Sequence, residues 1–126
     1  MSTILRGNIT PESKSILQSS ELNIEVKAEK ENRNSFIIDI TDKDFQDFDG
    51  QIADTIDFLN TQHSQLMVLK SQIPGMFWYI DYGYNTKVAT GELVYEGLRL
   101  PLELIRLCSE LQIEILLSLY DGKQFE

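Results

Sequence analysis

The run Gly75-Met76-Phe77-Trp78-Tyr79-Ile80-Asp81-Tyr82-Gly83-Tyr84, together with the residues from there to Tyr120, decides the architecture of this chain. Phe77, Trp78, Tyr79 and Ile80 are strand formers with large side chains on both faces, so a strand is expected over 76–84. Gly83-Tyr84-Asn85-Thr86 supplies a turn. Leu93, Val94 and Tyr95 anchor an expected return strand over 88–98, which Gly91 and Gly97 interrupt. Pro101 opens a short helix with Leu104, Ile105, Cys108 and Leu111 along one face. Ile113, Ile115, Leu117 and Leu119 then alternate as the buried face of a last strand over 113–120.

Working back from there, Ile73-Pro74-Gly75 ends a long helical pattern. Phe45, Phe48, Ile52, Ile56, Leu59, His63, Leu66 and Lys70 recur at spacings of three and four, which predicts one helix over about 45–71. Before it, Phe36, Ile38 and Ile40 form the inward face of a strand whose other face carries Ile37. Leu22, Ile24, Val26 and Ala28 alternate with Asn23, Glu25, Lys27 and Glu29, the signature of a half-solvated antiparallel strand. A polar turn over 30–34 joins the two. At the start, Leu5, Gly7 and Ile9 alternate with Ile4, Arg6 and Asn8 as a first strand. Thr10-Pro11-Glu12 then opens a short helix that has only Ile16 and Leu17 to bury. From residue 35 onward the succession is β-α-β-β-α-β. The expected fold is therefore α+β: an antiparallel sheet with helices on one face, a ferredoxin-like core over about 35–120, and a β-α-β extension ahead of it. Residues 1–126 form a single domain on this reading, with a polar tail over 121–126.

Composition bounds the function. An apolar fraction of 42% and a charged fraction of 25% are ordinary for a globular domain. No window approaches a membrane span. The first eight residues hold a lone Arg6 and no apolar run, unlike a secretory signal. One Cys cannot form an intramolecular disulfide, and a cytoplasmic location is expected. The balance of 11 basic against 20 acidic residues gives a net charge of −9. That field disfavours nucleic acid and anionic membrane surfaces and favours a basic protein partner.

Four sets of residues invite chemistry. Asp42, Asp44, Asp47 and Asp49 with Gly50 suggest a calcium loop, but the register fails: from Asp42, Asp47 stands where the loop needs Gly and Ala53 where it needs the bidentate Glu. They suit a helix entry instead, with Asp54 and Asp57 extending an acidic outer face toward a basic partner. His63, the only His, lies on the apolar stripe with no second ligand at metal spacing. Cys108 is alone on another helix and reads as a small buried hydrophobe. The aromatic set of Phe77, Trp78, Tyr79, Tyr82, Tyr84 and Tyr95 lacks the basic rim of a base-stacking surface, having Asp81, Glu92 and Glu96 instead. One face of it, near Trp78 and Tyr95, is a candidate surface for self-association. No phosphate loop, nucleophile elbow or zinc motif is present, so no catalytic residue, metal or cofactor is expected.

Leu100-Pro101-Leu102-Glu103-Leu104-Ile105-Arg106-Leu107, then Leu111-Gln112-Ile113-Glu114-Ile115, closing on Leu117-Ser118-Leu119-Tyr120, resembles the ending of a family of small bacterial proteins of unknown function. Asp49-Gly50-Gln51-Ile52 before a long helix fits their middle, and the first strand with Thr10-Pro11-Glu12 fits their start. A Trp that these proteins often carry before the long helix is Phe36 here. Some relatives resemble immunity proteins, which protect a bacterium from a toxin. The resemblance implies a bacterial cytoplasmic protein with a binding role and brings no site residues. The charge of −9, the small size and the empty catalytic inventory then point to a non-catalytic immunity-type module that presents the acidic surface around Asp44, Asp47, Asp54 and Asp57 to a basic toxin. Two other readings stand beside it: a self-associating homodimer using Trp78 and Tyr95, and an enzyme with an unrecognised site uniting His63 with a carboxylate in a pocket.

Overall fold

Thr3, Leu5, Gly7 and Ile9 are buried while the residues between them are not, and this alternation makes β1 (Thr3–Ile9) the middle strand of the sheet. The computed structural model describes residues 2–22, 24–28, 34–88 and 91–121. The expected turn at 30–33 and the tail from 122 lie outside them. A 3₁₀ turn, Pro11–Ser13, leads into α1 (Lys14–Gln18), which buries Leu17. β2 (Ile24–Ala28) and β3 (Asn34–Thr41) come next. Then come α2 (Phe48–Thr61), α3 (His63–Gln72), β4 (Phe77–Thr86), α4 (Leu102–Leu111) and β5 (Glu114–Asp121).

The sheet has five strands in the order β2-β3-β1-β4-β5. β1 pairs antiparallel with both β3 and β4, β2 pairs antiparallel with β3, and β5 pairs parallel with β4. The protein is thus α+β with a mixed sheet, not the antiparallel one expected. Leu5, Phe36, Ile38, Trp78, Ile80 and Tyr82 point to one face. There they meet Leu17, Leu59, Leu66, Leu69, Leu104 and Leu111 from the helices in one continuous core.

The return strand expected over 88–98 is absent from its described residues, 88 and 91–98. This segment folds back on itself: Lys87 O accepts from the amides of both Glu92 and Leu93, at 3.0 and 3.1 Å. β4 has one edge left after β1, and β5 takes it. β5 is apolar on both of its faces, as a parallel strand reached through a helical crossover usually is. The ferredoxin-like core expected over 35–120 therefore does not form: one of its four strands is a loop, and its last pairing is parallel. The long helix is also two helices. The chain breaks at Gln62, whose φ of −101° and ψ of 10° leave the helical range. Nothing in Thr61-Gln62-His63 explains the break.

The apolar stripe of α2 is shifted from the expected one. Fully buried positions are Gln51, Thr55 and Leu59, while Ile56 is only partly buried. Gln51 is placed by its hydrogen bonds. Its Oε1 accepts from the Thr3 hydroxyl at 2.8 Å, and its Nε2 donates to Gly83 O at 2.9 Å and Asp44 O at 3.3 Å. The amide is satisfied in full, as a buried amide must be. Gly83 is required for a second reason. The Phe45 ring lies over it, 2.5 Å from where a Cβ would stand, and meets Tyr120 edge-on.

α4 is fixed at its C-terminal end by Trp78, whose Nε1 donates to Leu111 O at 3.0 Å inside the core. The helix then stops at Gln112, at φ 55° in the left-handed region, and the amides of Gln112 and Ile113 return to Ser109 O and Cys108 O.

Two stability measurements check these anchors. Gln51→Leu strands the Thr3 hydroxyl and removes the side-chain donor from Gly83 O and from Asp44 O, the latter keeping the Asp47 amide, and is expected to cost about 2 kcal/mol in urea unfolding. Gln112→Gly relieves the left-handed strain of a residue with a Cβ and is expected to add about 0.5–1 kcal/mol.

Candidate functional site

One end of the sheet gathers the start of β1, the ends of β3 and β4, the entry to α2 and the loop before α4. Asp47 caps α2, its Oδ1 accepting from Gly50 N at 2.9 Å. A Cβ on Gly50 would stand 2.2 Å from the other oxygen of that carboxylate, so the glycine leaves room for the cap. Asp44 closes a local turn, accepting from Gln46 N at 2.9 Å. Both are exposed. Asp54 is half-buried on the flank of α2 toward β3, where it accepts from the Thr41 hydroxyl at 2.7 Å. Asp57 is exposed on the outer face of α2. Of the four acids singled out in the sequence, Asp44 and Asp47 stand together at this end, Asp57 lies along the helix, and Asp54 is tied to the fold.

Glu96, which the sequence offers only as a charge on an exposed strand face, has a specific structural role. It accepts from the Tyr84 hydroxyl through one oxygen and from Lys87 N at 2.9 Å through the other, which also approaches the Thr86 hydroxyl at 3.4 Å. These contacts clip the loop to the end of β4. Glu96, with Leu98 and Arg99, then faces Asp47, Asp49 and Tyr84 across a hollow of about 240 Å³. Between the clip and the Lys87 turn the chain projects Val94 and Tyr95, which are 94% and 81% exposed. Glu92 and Glu96 flank this tip in sequence. The Tyr84 hydroxyl holds Glu96 below the usual carboxylate range, assisted by Lys87 N. Burial, with the Glu96 hydrogen bond, pushes Tyr84 up to about 12.

Trp78 does not join this site. It is 1% exposed and bonded to Leu111, so it offers a partner nothing. The aromatic set is split three ways. Trp78, Tyr82 and Tyr84 face the core, and Tyr95 is on the loop. Phe77 and Tyr79 pack against each other, ring centres 5.7 Å apart, on the face without helices. Period two separates 78, 82 and 84 from 77 and 79, so the split within β4 was available in the sequence. Tyr82 is buried with its hydroxyl outside hydrogen-bond geometry, although the Thr55 hydroxyl is close enough to act on it.

His63 Nε2 lies 3.1 Å from Glu110 Oε2, and Arg106 donates to the other oxygen of that carboxylate at 2.8 Å. Arg106 and then His63 hold Glu110 below the usual carboxylate range. His63 thus has a carboxylate neighbour, but the two side chains are 34% and 43% exposed, on the helix surface and not in a pocket. Cys108 is buried, which pushes its thiol up to about 11. Among the described residues no three His, Cys, Asp or Glu side chains are arranged to hold a metal ion, and no helix is long and apolar enough to cross a membrane. No protein-family model, curated protein or solved structure matches this chain.

The clip has a pH signature. Its folded pKa is depressed, so the contribution of Glu96 is complete above the ordinary glutamate value of about 4.3 and is lost as pH falls through the folded one. Glu96→Gln is expected to unfold at lower urea than the parent chain at neutral pH. The two midpoints should converge in acid.

Proposed function

We propose that this protein is a non-catalytic binding module of immunity-protein type that neutralises a basic protein. The observation that carries the reading is the exposed tip Val94–Tyr95, tied to the end of β4 by the Glu96 clip and bordered by acids. A large aromatic and an apolar side chain presented on a tied loop suit insertion into a partner cleft, since little entropy remains to be lost on binding. Asp44 and Asp47, with Asp49 beside them and Asp57 further along α2, add a negative field that draws in a basic protein and repels an acidic one. The net charge of −9 and the family resemblance of the chain's ending support the same reading.

We also read residues 3–86, with their β-α-β-β-α-β succession and strand order β2-β3-β1-β4, as the ferredoxin-like unit, lying some thirty residues earlier than the sequence suggested. α4 and β5 are then an addition to its edge.

The test is binding to the product of a neighbouring toxin-like reading frame, followed as association and dissociation rates at low and physiological salt. Tyr95→Ala should weaken binding by about 2 kcal/mol, mostly through faster dissociation. Asp44→Asn with Asp47→Asn and Asp57→Asn should slow association by roughly an order of magnitude and flatten its salt dependence. Asn caps a helix as well as Asp does, so Asp47→Asn leaves α2 in place. Binding that is indifferent to salt and to these replacements would overturn the electrostatic part.

A further inference from the structure

Eight of the eleven large apolar side chains left exposed among the described residues fall between Val88 and Leu119; the other three are Met67, Val68 and Phe77. Such a concentration marks a contact surface. Four of the eight, Leu102, Ile105, Leu116 and Leu119, stand on the border formed by β5 and α4; the other four precede α4. β5 ends the sheet: over 114–119 it pairs with β4 and with no other described strand. Over 114–119 it carries neither Lys nor Pro, whereas β2 at the opposite border is a five-residue strand that includes Lys27. Shortness, Lys and Pro are the usual means of blunting a free edge.

α4 lies above this border and presents two unlike flanks. One is turned to α2 and α3, where Glu103 accepts from Asn60 and Glu110 meets His63. The other consists of Leu102, Ile105, Ser109 and Gln112, spaced three and four apart, exposed and without a charge. Leu102 is 83% exposed at its head.

We infer that a second copy of this chain docks on this border, the two β5 edges pairing antiparallel about a two-fold axis with the neutral flanks of α4 meeting beside them. Antiparallel pairing of one edge with its own copy is self-complementary, so a single strand supplies both halves of the contact. The absence of charge selects this occupant. Each chain carries −9, and over 115–119 the edge sets no charged residue of its own against a second copy; the nearest carboxylates are Glu114 at its start and Asp81, which accepts from the Ser118 hydroxyl at 2.6 Å. A basic partner would favour acids here, as at the α2 end of the molecule. Between Glu114 and Asp121 the strand has no charged residue. Pairing centred on Leu116 sets Leu116 against its counterpart, Ile115 against Leu117 and Glu114 against Ser118. It also keeps Glu114 away from Asp121 of the other copy. The border reaches the acidic end at Leu119, which lines a hollow with Tyr84 and Glu96, but it uses neither Val94 and Tyr95 nor the α2 acids, so the dimer does not rest on the toxin-binding proposal.

Sedimentation equilibrium on the full chain across the micromolar range tests this. The parent chain is expected at twice the chain mass, with association tightening as salt rises, because screening removes the repulsion between two acidic copies. Leu102→Glu and Leu116→Lys are each expected to sediment as monomers with an unchanged far-UV spectrum, while Leu102→Met keeps the dimer. A parent chain that stays monomeric at the top of the range, a dimer that both charged variants leave intact, or an association that salt weakens would overturn the inference.

Discussion

The side-chain amide of Gln51 holds together parts of the chain that are far apart in sequence. Thr3 begins the central strand, Gly83 lies near the end of β4, and Asp44 belongs to the loop entering α2. All three bond to this one buried group. A buried amide is costly unless every donor and acceptor is matched, so the geometry tolerates neither rotation of α2 nor slippage along the sheet. Ser2 O and Phe45 O extend the same junction by accepting from the amides of Gly83 and Asn85, beyond the point where β1 begins. Everything presented at that end of the molecule inherits its position from this junction: the Asp47 cap, the exposed Asp44 and the hollow between Asp49 and Glu96.

A second anchor lies at the opposite end of the sheet. The Trp78 indole ties α4 to β4 through Leu111 O. With that end fixed, the left-handed turn at Gln112 sends the chain straight back as β5, parallel to β4. The consequence reaches the surface. β5 occupies the last edge of β4 and itself becomes the border of the sheet. Residues 91–98 are left outside as a loop, fastened by Glu96. The two surfaces that distinguish this protein arise from this competition for one edge: an acidic end with a projecting apolar tip, and an uncharged apolar side.

Much of the architecture is legible in the residues. Alternation over 3–9, 36–40 and 113–120 marks the strands and their inward faces. Thr10-Pro11-Glu12, Ile73-Pro74-Gly75 and Pro101 mark starts and stops. The carboxylates before Gly50 mark a helix entry, and Asp47 is its cap. The misses share a cause. Gln51 and Thr55 are polar by type, so a search for an apolar stripe chose Ile56 instead, and burial went to the polar residues because partners for them exist on another strand. Glu96 looked like one charge on an exposed strand face. Its role depends on a tyrosine twelve residues away meeting it, which no local pattern encodes. The strand expected over 88–98 rested on Val94 and Tyr95, whose strand propensity is a statement about fitting a half-buried sheet surface. With no open edge to join, the same side chains face solvent.

What the sequence by itself determined is the inventory: an α+β chain, most of its strands and helices, the faces they bury, and an acidic charge far from balance. These come from periodicity, capping chemistry and counting, all of which are local or additive. Only the tertiary structure decided which strand lies beside which, that the last pairing is parallel, that Trp78 is an internal anchor while Tyr95 stands in solvent, and that one segment rich in strand formers stays a loop. A period of two assigns a residue to a face but names no neighbour. Neighbours are settled by competition for a limited number of edges and by whether each buried polar group finds its partner.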